Sequence, residues 1–136
     1  MTAGRTRSAA EEDLGRQRLK ILHRFLDAWN ARDVEALMGC MAADCSFHGS
    51  GGHDAEGSRH VGREAVRRAY AALFEAFPQT SWTERQHVVS GETGLSAWRF
   101  SGVTAAGQVV EVDGCDIFTF DGPLIALKDS YRKARS

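Results

Sequence analysis

Asp116 has more chemistry to offer than its neighbours suggest. It stands in the run Val109-Val110-Glu111-Val112-Asp113-Gly114-Cys115-Asp116-Ile117-Phe118-Thr119-Phe120, which is rich in branched and aromatic residues and reads as a strand. Strand side chains alternate faces, so Asp116 shares one with Gly114, Phe118 and Phe120. If that face is buried, a carboxyl group sits among aromatic rings, where ionisation is costly without a partner. The next strand candidate, Leu124 to Arg132, carries Lys128, Ser130 and Arg132 on one face. An inward Lys128 or Arg132 would pair with Asp116 and make it an ionic anchor for a polar ligand group. Without a cation, Asp116 would be a hydrogen-bond donor or general acid. Alternation leaves both open. His48 closes a short apolar run, Cys45-Ser46-Phe47-His48, and an imidazole has the right range for a base near neutrality. Asp116 and His48 are therefore the catalytic candidates. Each also has a plainer reading, Asp116 in a structural network and His48 as a packed or exposed side chain. Moreover, Phe47 and His48 cannot both face the core.

The elements that must position these groups come as helices first and strands last. Leu19, Leu22, Phe25, Leu26 and Trp29 recur at helical spacing within Glu11 to Ala31. Asp33 is placed to cap a short helix from Val34 to Met41. The Gly-rich, polar stretch from Gly49 to Gly62 reads as a loop, and a third helix from Arg63 to Phe77 is ended by Pro78. Four strands follow, Trp82 to Val89, Leu95 to Thr104, Val109 to Phe120 and Leu124 to Arg132, joined by short turns. Short connections favour antiparallel neighbours, so the expectation is an α+β fold with helices covering one face of a curved, mostly antiparallel sheet. Residues 1–10 read as a frayed tail and 11–136 as a single domain.

Composition excludes several function classes. The chain has 136 residues, 43% hydrophobic and 26% charged, with a formal net charge of -1. That is an ordinary globular composition with no electrostatic footprint for nucleic acid or an anionic membrane. No apolar run approaches the length of a bilayer span, and the first residues lack the apolar core of a secretory signal. Cys40, Cys45 and Cys115 are odd in number, with no Cys-x-x-Cys spacing, which points to reduced packing thiols and a cytoplasmic setting. The loop residues His53, Asp54, Glu56 and His60 have metal-ligand chemistry but no rigid frame, so the loop reads as a solvated lid and no metal ligand is assigned. No phosphate-binding glycine motif opens a helix, and no cofactor is implied.

Three segments carry a family resemblance: Trp29-Asn30-Ala31-Arg32-Asp33-Val34-Glu35-Ala36-Leu37, the helix entry Gly62-Arg63-Glu64-Ala65-Val66, and Cys115-Asp116-Ile117-Phe118-Thr119-Phe120-Asp121-Gly122. Together they resemble the nuclear transport factor 2-like superfamily, and within it the SnoaL-like and ketosteroid-isomerase-like bacterial proteins, over about Leu19 to Arg132. The resemblance implies a cystatin-like cone of helices and bent sheet around a mostly apolar pocket, commonly in a homodimer. Core and pocket wall would then be one surface, which makes Phe25, Trp29, Phe47, Trp98, Phe100, Phe118, Lys128, Ser130 and Arg132 ligand-binding candidates. Members include isomerases, cyclases, dehydratases, epoxide hydrolases and non-catalytic binding modules, so fold does not settle function. Asp116 matches the ketosteroid isomerase carboxyl that donates to a developing oxyanion. The isomerase's oxyanion tyrosine falls on Phe25 and its general base on Gly49, which argues against steroid isomerisation. Lys128-Asp129-Ser130-Tyr131 is similar to the Trp-Arg-Asp-Tyr run of the epoxide hydrolases, with the catalytic aspartate's place on Ser130. The implied ligand is a small hydrophobic molecule. Its chemistry would be cofactor-free acid/base conversion or, alternatively, binding alone.

Overall fold

The computed structural model describes residues 7–134. Three helices precede a long meander: α1 (Ala9–Ala31), α2 (Val34–Gly39), β1 (Met41–His48), β2 (Arg59–Val61), α3 (Arg63–Ala76), β3 (Gln79–Ser90), β4 (Thr93–Val103), β5 (Val109–Asp121) and β6 (Leu124–Arg132). The strands form one six-stranded sheet in the order β2-β1-β6-β5-β4-β3. All its pairs are antiparallel except β1 with β6. The expected α+β architecture, helices on a curved, mostly antiparallel sheet, is what the structure shows. Among the described residues no helix is long and apolar enough to cross a membrane.

Local chemistry explains the boundaries. Ser8 caps α1, its hydroxyl accepting from the Glu11 N–H at 3.1 Å, and Glu11 and Glu12 suit the positive end of the helix dipole. Ala9 and Ala10 are therefore helical, two residues inside the segment expected to fray; residues 1–6 of that tail lie outside the described residues. The buried stripe of α1 is Arg18, Ile21, Leu22, Phe25, Ala28 and Trp29, whereas Leu19, expected inside, is 37% exposed. Arg18 takes the inward place because its guanidinium donates to the Gly91 and Gly122 carbonyls, at 2.6 and 2.8 Å, tying α1 to two hairpin turns. Arg32 ends the helix at a φ of 56°, unusual for a residue with a side chain. Its guanidinium holds that geometry by donating to the Phe74 and Phe77 carbonyls and the Thr80 hydroxyl. Asn30 donates to the Trp82 carbonyl and accepts from the Trp82 N–H, fixing β3 against the helix.

Two expectations need correction. The second helix stops at Gly39 rather than Met41, and β1 starts at Met41, four residues earlier than the strand read from Cys45. Glycine is a weak helix former, and pairing with β6, where the Ile125 N–H donates to the Cys40 carbonyl at 2.9 Å, wins the segment for the sheet. The stretch read wholly as loop contains β2, whose three residues pair with Ser46, Phe47 and His48. Three residues are too few for a periodicity to show.

Candidate functional site

Helices and sheet enclose a cavity of about 720 Å³, counting the space open to solvent at its mouth. Its wall is mostly apolar and rich in rings, with Phe25 and Trp29 from α1, Phe47 from β1, Trp98 and Phe100 from β4, and Phe118 from β5. Lys128, Ser130 and Arg132 come from β6 and Asp116 from β5, so every residue expected around a pocket except His48 meets here. His48 does not join them. In β1 it pairs with Asp129 while Phe47 pairs with Lys128, and alternation sends Phe47 to the cavity side and His48 to the other. Gly49, where the resemblance places a base, brings no side chain.

Asp116 and its partners form the polar end of the cavity. The carboxylate is 5% exposed and lies in register with Ser130 across β6 and with Ser96 across β4. Its Oδ1 accepts from the Ser130 hydroxyl at 2.6 Å and lies 3.4 Å from Lys128 Nζ; its Oδ2 accepts from the Trp98 indole N–H at 3.0 Å. Lys128 Nζ also donates to Ser130 Oγ at 2.7 Å, closing a triangle of lysine, serine and aspartate. Of the two states left open by the sequence, the structure shows the paired one. Burial pulls the Lys128 ammonium below its usual range, and the adjacent Asp116 carboxylate works against that pull. Aromatic faces help it too, with Phe47, Trp29 and Tyr70 ring centres 4.4, 5.4 and 5.8 Å from Nζ.

Gly114 makes this arrangement possible. It pairs with Trp98 across β4–β5, and a Cβ there would overlap the indole ring and the Tyr131 carbonyl. Gly114→Ala is therefore expected to push Trp98 off Asp116 and cost about 1–3 kcal/mol, the usual penalty of overpacking. Urea unfolding measures the loss, and a shift in tryptophan fluorescence reports the ring's displacement; an unchanged midpoint would contradict it.

Sequence reasoning missed several polar groups on this wall, and two of them titrate. Tyr70, from α3, is fully buried, its hydroxyl 3.6 Å from Met41 Sδ, and burial pushes its phenol well above the ordinary range, so it stays an O–H donor. The helical stripe of α3 was legible, but not that it delivers a hydroxyl near Lys128. The second is His87 on β3, whose Nδ1 lies 2.7 Å from Ser96 Oγ. His87, Ser96, Asp116 and Ser130 thus make one polar row across four strands. A bulge hides His87 from a period-two reading. Glu84 pairs with Trp98 and Gln86 with Ala97, so Arg85 is the extra residue and parity flips after it. Trp82 and His87, five apart, both face inward. Burial holds the His87 imidazole below its usual range, against the pull of Glu84. The cysteines are free, Cys40 and Cys45 buried and Cys115 half-buried, and burial raises all three thiols. That is packing chemistry.

Helices on a curved sheet, closed over a mostly apolar cavity with an ion pair at one end, define an α+β architecture of the cone type. The chain belongs to the SnoaL-like domain family, whose sequence model matches residues 22–127. No curated protein matches by sequence. Among solved structures the chain is similar to a protein from Jannaschia sp. CCS1 assigned to the SnoaL-like polyketide cyclases. The two share 20% identity with a TM-score of 0.76, over 96% of this chain and 92% of that one. It is similar to an NTF2-like protein of unknown function from Mesorhizobium loti, at 25% identity and TM-score 0.73, over 88% and 93% of the two chains. It is also similar to TerC, crystallised with polyporic acid, at 13% identity and TM-score 0.75, over 86% and 92%.

Proposed function

We propose that the protein binds a small, largely apolar molecule carrying one carbonyl or acidic oxygen, and converts it by cofactor-free proton transfer of the isomerase, cyclase or dehydratase kind. The observation that carries this reading is the buried Asp116–Lys128 pair at one end of a mostly apolar, ring-rich cavity. Rings take the ligand's body, and the ammonium takes its oxygen, since only part of its donor capacity is spent on Ser130 and Asp116. Negative charge that develops on that oxygen, as a proton leaves the neighbouring carbon, would be stabilised by Lys128 in a site screened from water. Asp116 is the carboxylate at hand to accept the proton. That one neighbour is assigned to the SnoaL-like polyketide cyclases and another was crystallised with polyporic acid agrees with a ligand carrying an acidic or carbonyl oxygen. A homodimer goes with the reading, and sedimentation of the purified chain measures it.

One observation favours a second reading, binding without turnover. Both Asp116 oxygens already accept hydrogen bonds, so the carboxylate is engaged within the protein before any ligand arrives. The test separates the two. Thermal shifts with a panel of hydrophobic ketones, quinones and phenols should find compounds that raise the melting point, by mass action, in wild type. The rise should shrink at least several-fold in Asp116→Asn, where the anchor changes; equal shifts in both proteins would remove Asp116 from the site. With the best binder, NMR in deuterium oxide then asks whether protein-dependent exchange occurs at the carbon beside the carbonyl. Exchange supports turnover, and its absence leaves the binding role.

A further inference from the structure

Outside the Asp116 end of the cavity, a second constellation of polar side chains lies where α1 meets β3. His23 projects from α1, and Glu84 and His87 flank the bulge of β3. Glu84 Oε1 is 3.3 Å from His23 Nδ1 and 2.8 Å from His87 Nε2, and one ligand atom from each residue falls within 4.8 Å of the other two. The two imidazoles stand edge to face, ring centres 4.5 Å apart at 81°. Ligand atoms around a tetrahedral zinc at about 2.0–2.1 Å stand about 3.3 Å from one another. His23 Nδ1 already stands 3.3 Å from Glu84 Oε1, and side-chain rotations within the 4.8 Å span of the cluster would bring the other ligand atoms to that spacing.

An independent observation points to a ligand. The His87 side chain is 2% exposed, and its Nε2 is buried with no hydrogen-bond partner. Glu84 Oε1 is near enough, but it lies off the direction in which the ring nitrogen donates, so no bond closes. Buried polar atoms are seldom left unmade, because each costs its full desolvation. Ser96 Oγ, 2.7 Å from the far nitrogen, orients the ring as an outer-shell partner does for metal-bound histidine. When Ser96 accepts from the Nδ1–H, the Nε2 lone pair is left without a donor while a carboxylate oxygen lies 2.8 Å away, two acceptors in contact. A cation between them resolves that contact.

We propose that His23, Glu84 and His87 form a binding site for a zinc-type divalent cation, with His23 Nδ1, one Glu84 oxygen and His87 Nε2 as ligands. His23 and Glu84 are half-exposed, side chains 53% and 42% accessible, so an ion can enter from solvent and keep water in its fourth position. Two nitrogens and one carboxylate oxygen suit zinc and its first-row neighbours better than calcium or magnesium, which prefer all-oxygen shells. The site joins α1 to β3 and, through His87, touches the cavity wall. A bound ion would brace the wall there as well as clip the helix to the sheet.

The experiment uses untagged full-length protein stripped with a chelator and titrated with zinc chloride alone, read by calorimetry and by thermal shift. Wild type should bind one equivalent and rise in melting temperature. Cobalt in place of zinc should give the visible absorption of a low-coordinate nitrogen–oxygen site. His23→Ala should leave the melting temperature of the stripped protein nearly unchanged, since the side chain is half in solvent. It should weaken zinc binding by more than the roughly 10–100-fold typical of losing an outer-shell partner. Glu84→Gln should do the same, which keeps the test independent of the buried His87, whose replacement could disturb the fold. Absence of zinc binding in wild type overturns the proposal. So does equal binding in wild type, His23→Ala and Glu84→Gln, which would place the ion on other histidines or on the cysteines.

Discussion

Lys128→Met is expected to destabilise the fold by about 3–5 kcal/mol, the range for removing one member of a buried ion pair. The loss comes less from the lysine than from what it leaves behind. Asp116 is 5% exposed, and with the ammonium gone only the Trp98 N–H and the Ser130 hydroxyl remain to compensate its charge. Asp116→Asn should cost a comparable amount for the mirror reason, an ammonium buried beside aromatic rings without its carboxylate. The double variant should recover most of either loss, because it removes both charges together. That recovery also follows from the lowered affinity of Lys128 for its proton, which shows desolvation outweighing the attraction of Asp116. The sign can be checked in alkali. Below the usual lysine range the folded protein releases the Lys128 proton while the unfolded chain still holds it, so stability from this group rises with pH up to about 10.5. Lys128→Met should lack that rise. Raised Tyr70 and Tyr131 act oppositely, but above pH 10 and in both proteins, so the difference between wild type and variant isolates the lysine. Urea unfolding of the four proteins completes the cycle; additive losses would mean that the two groups do not interact.

The same pair shows which parts of the site could be read from sequence and why. Asp116 falls on a regular stretch of β5, and counting by two put Lys128 and Ser130 on one face of β6, but only the sheet register could say that this face meets Asp116. His48 was undecidable by counting, since either it or Phe47 could face inward; the parallel pairing of β1 with β6 decided for Phe47. His87 was hidden by a defect in the period itself. The bulge at Arg85 breaks the alternation between Trp82 and His87, and no residue type near it announces the break. Tyr70 and the triad of His23, Glu84 and His87 depend on contacts between elements far apart in the chain, which local patterning does not carry. The helices, by contrast, were legible from their stripes and from the Asp33 cap, though α2 ends two residues short of Met41 and α1 buries Arg18 and not Leu19, because a charge made the buried contact.

Trp29→Ala is expected to cost about 3–5 kcal/mol, and the loss should be partly reversible by a small aromatic guest. Trp29 is the hub of the aromatic cluster, with ring centres 4.9 Å from Tyr70, 5.1 Å from Trp82, 5.4 Å from Phe74 and 6.0 Å from Phe25. It is 6% exposed and also lines the cavity, so its removal leaves a hole that opens into existing space instead of a sealed void. Neighbours drawn from two helices and β3 cannot all close on that hole, because the Asn30 side-chain amide pins the Trp82 backbone to α1 through two hydrogen bonds. A hole of this shape, bounded by aromatic rings and open to the cavity, offers a flat aromatic molecule a place to enter. Indole, the lost side chain as a free molecule, should therefore raise the melting point of Trp29→Ala clearly more than that of wild type. At 100 times its dissociation constant it would return about 2.7 kcal/mol. Phe118→Ala offers the control, for Phe118 contacts Phe25 and Phe120 from the sheet side and leaves a hole of different shape. If indole stabilised wild type and Trp29→Ala equally, the cluster would have collapsed into the space. The aromatic wall would then be a deformable core, and the idea of a preformed ring-shaped pocket would fail with it.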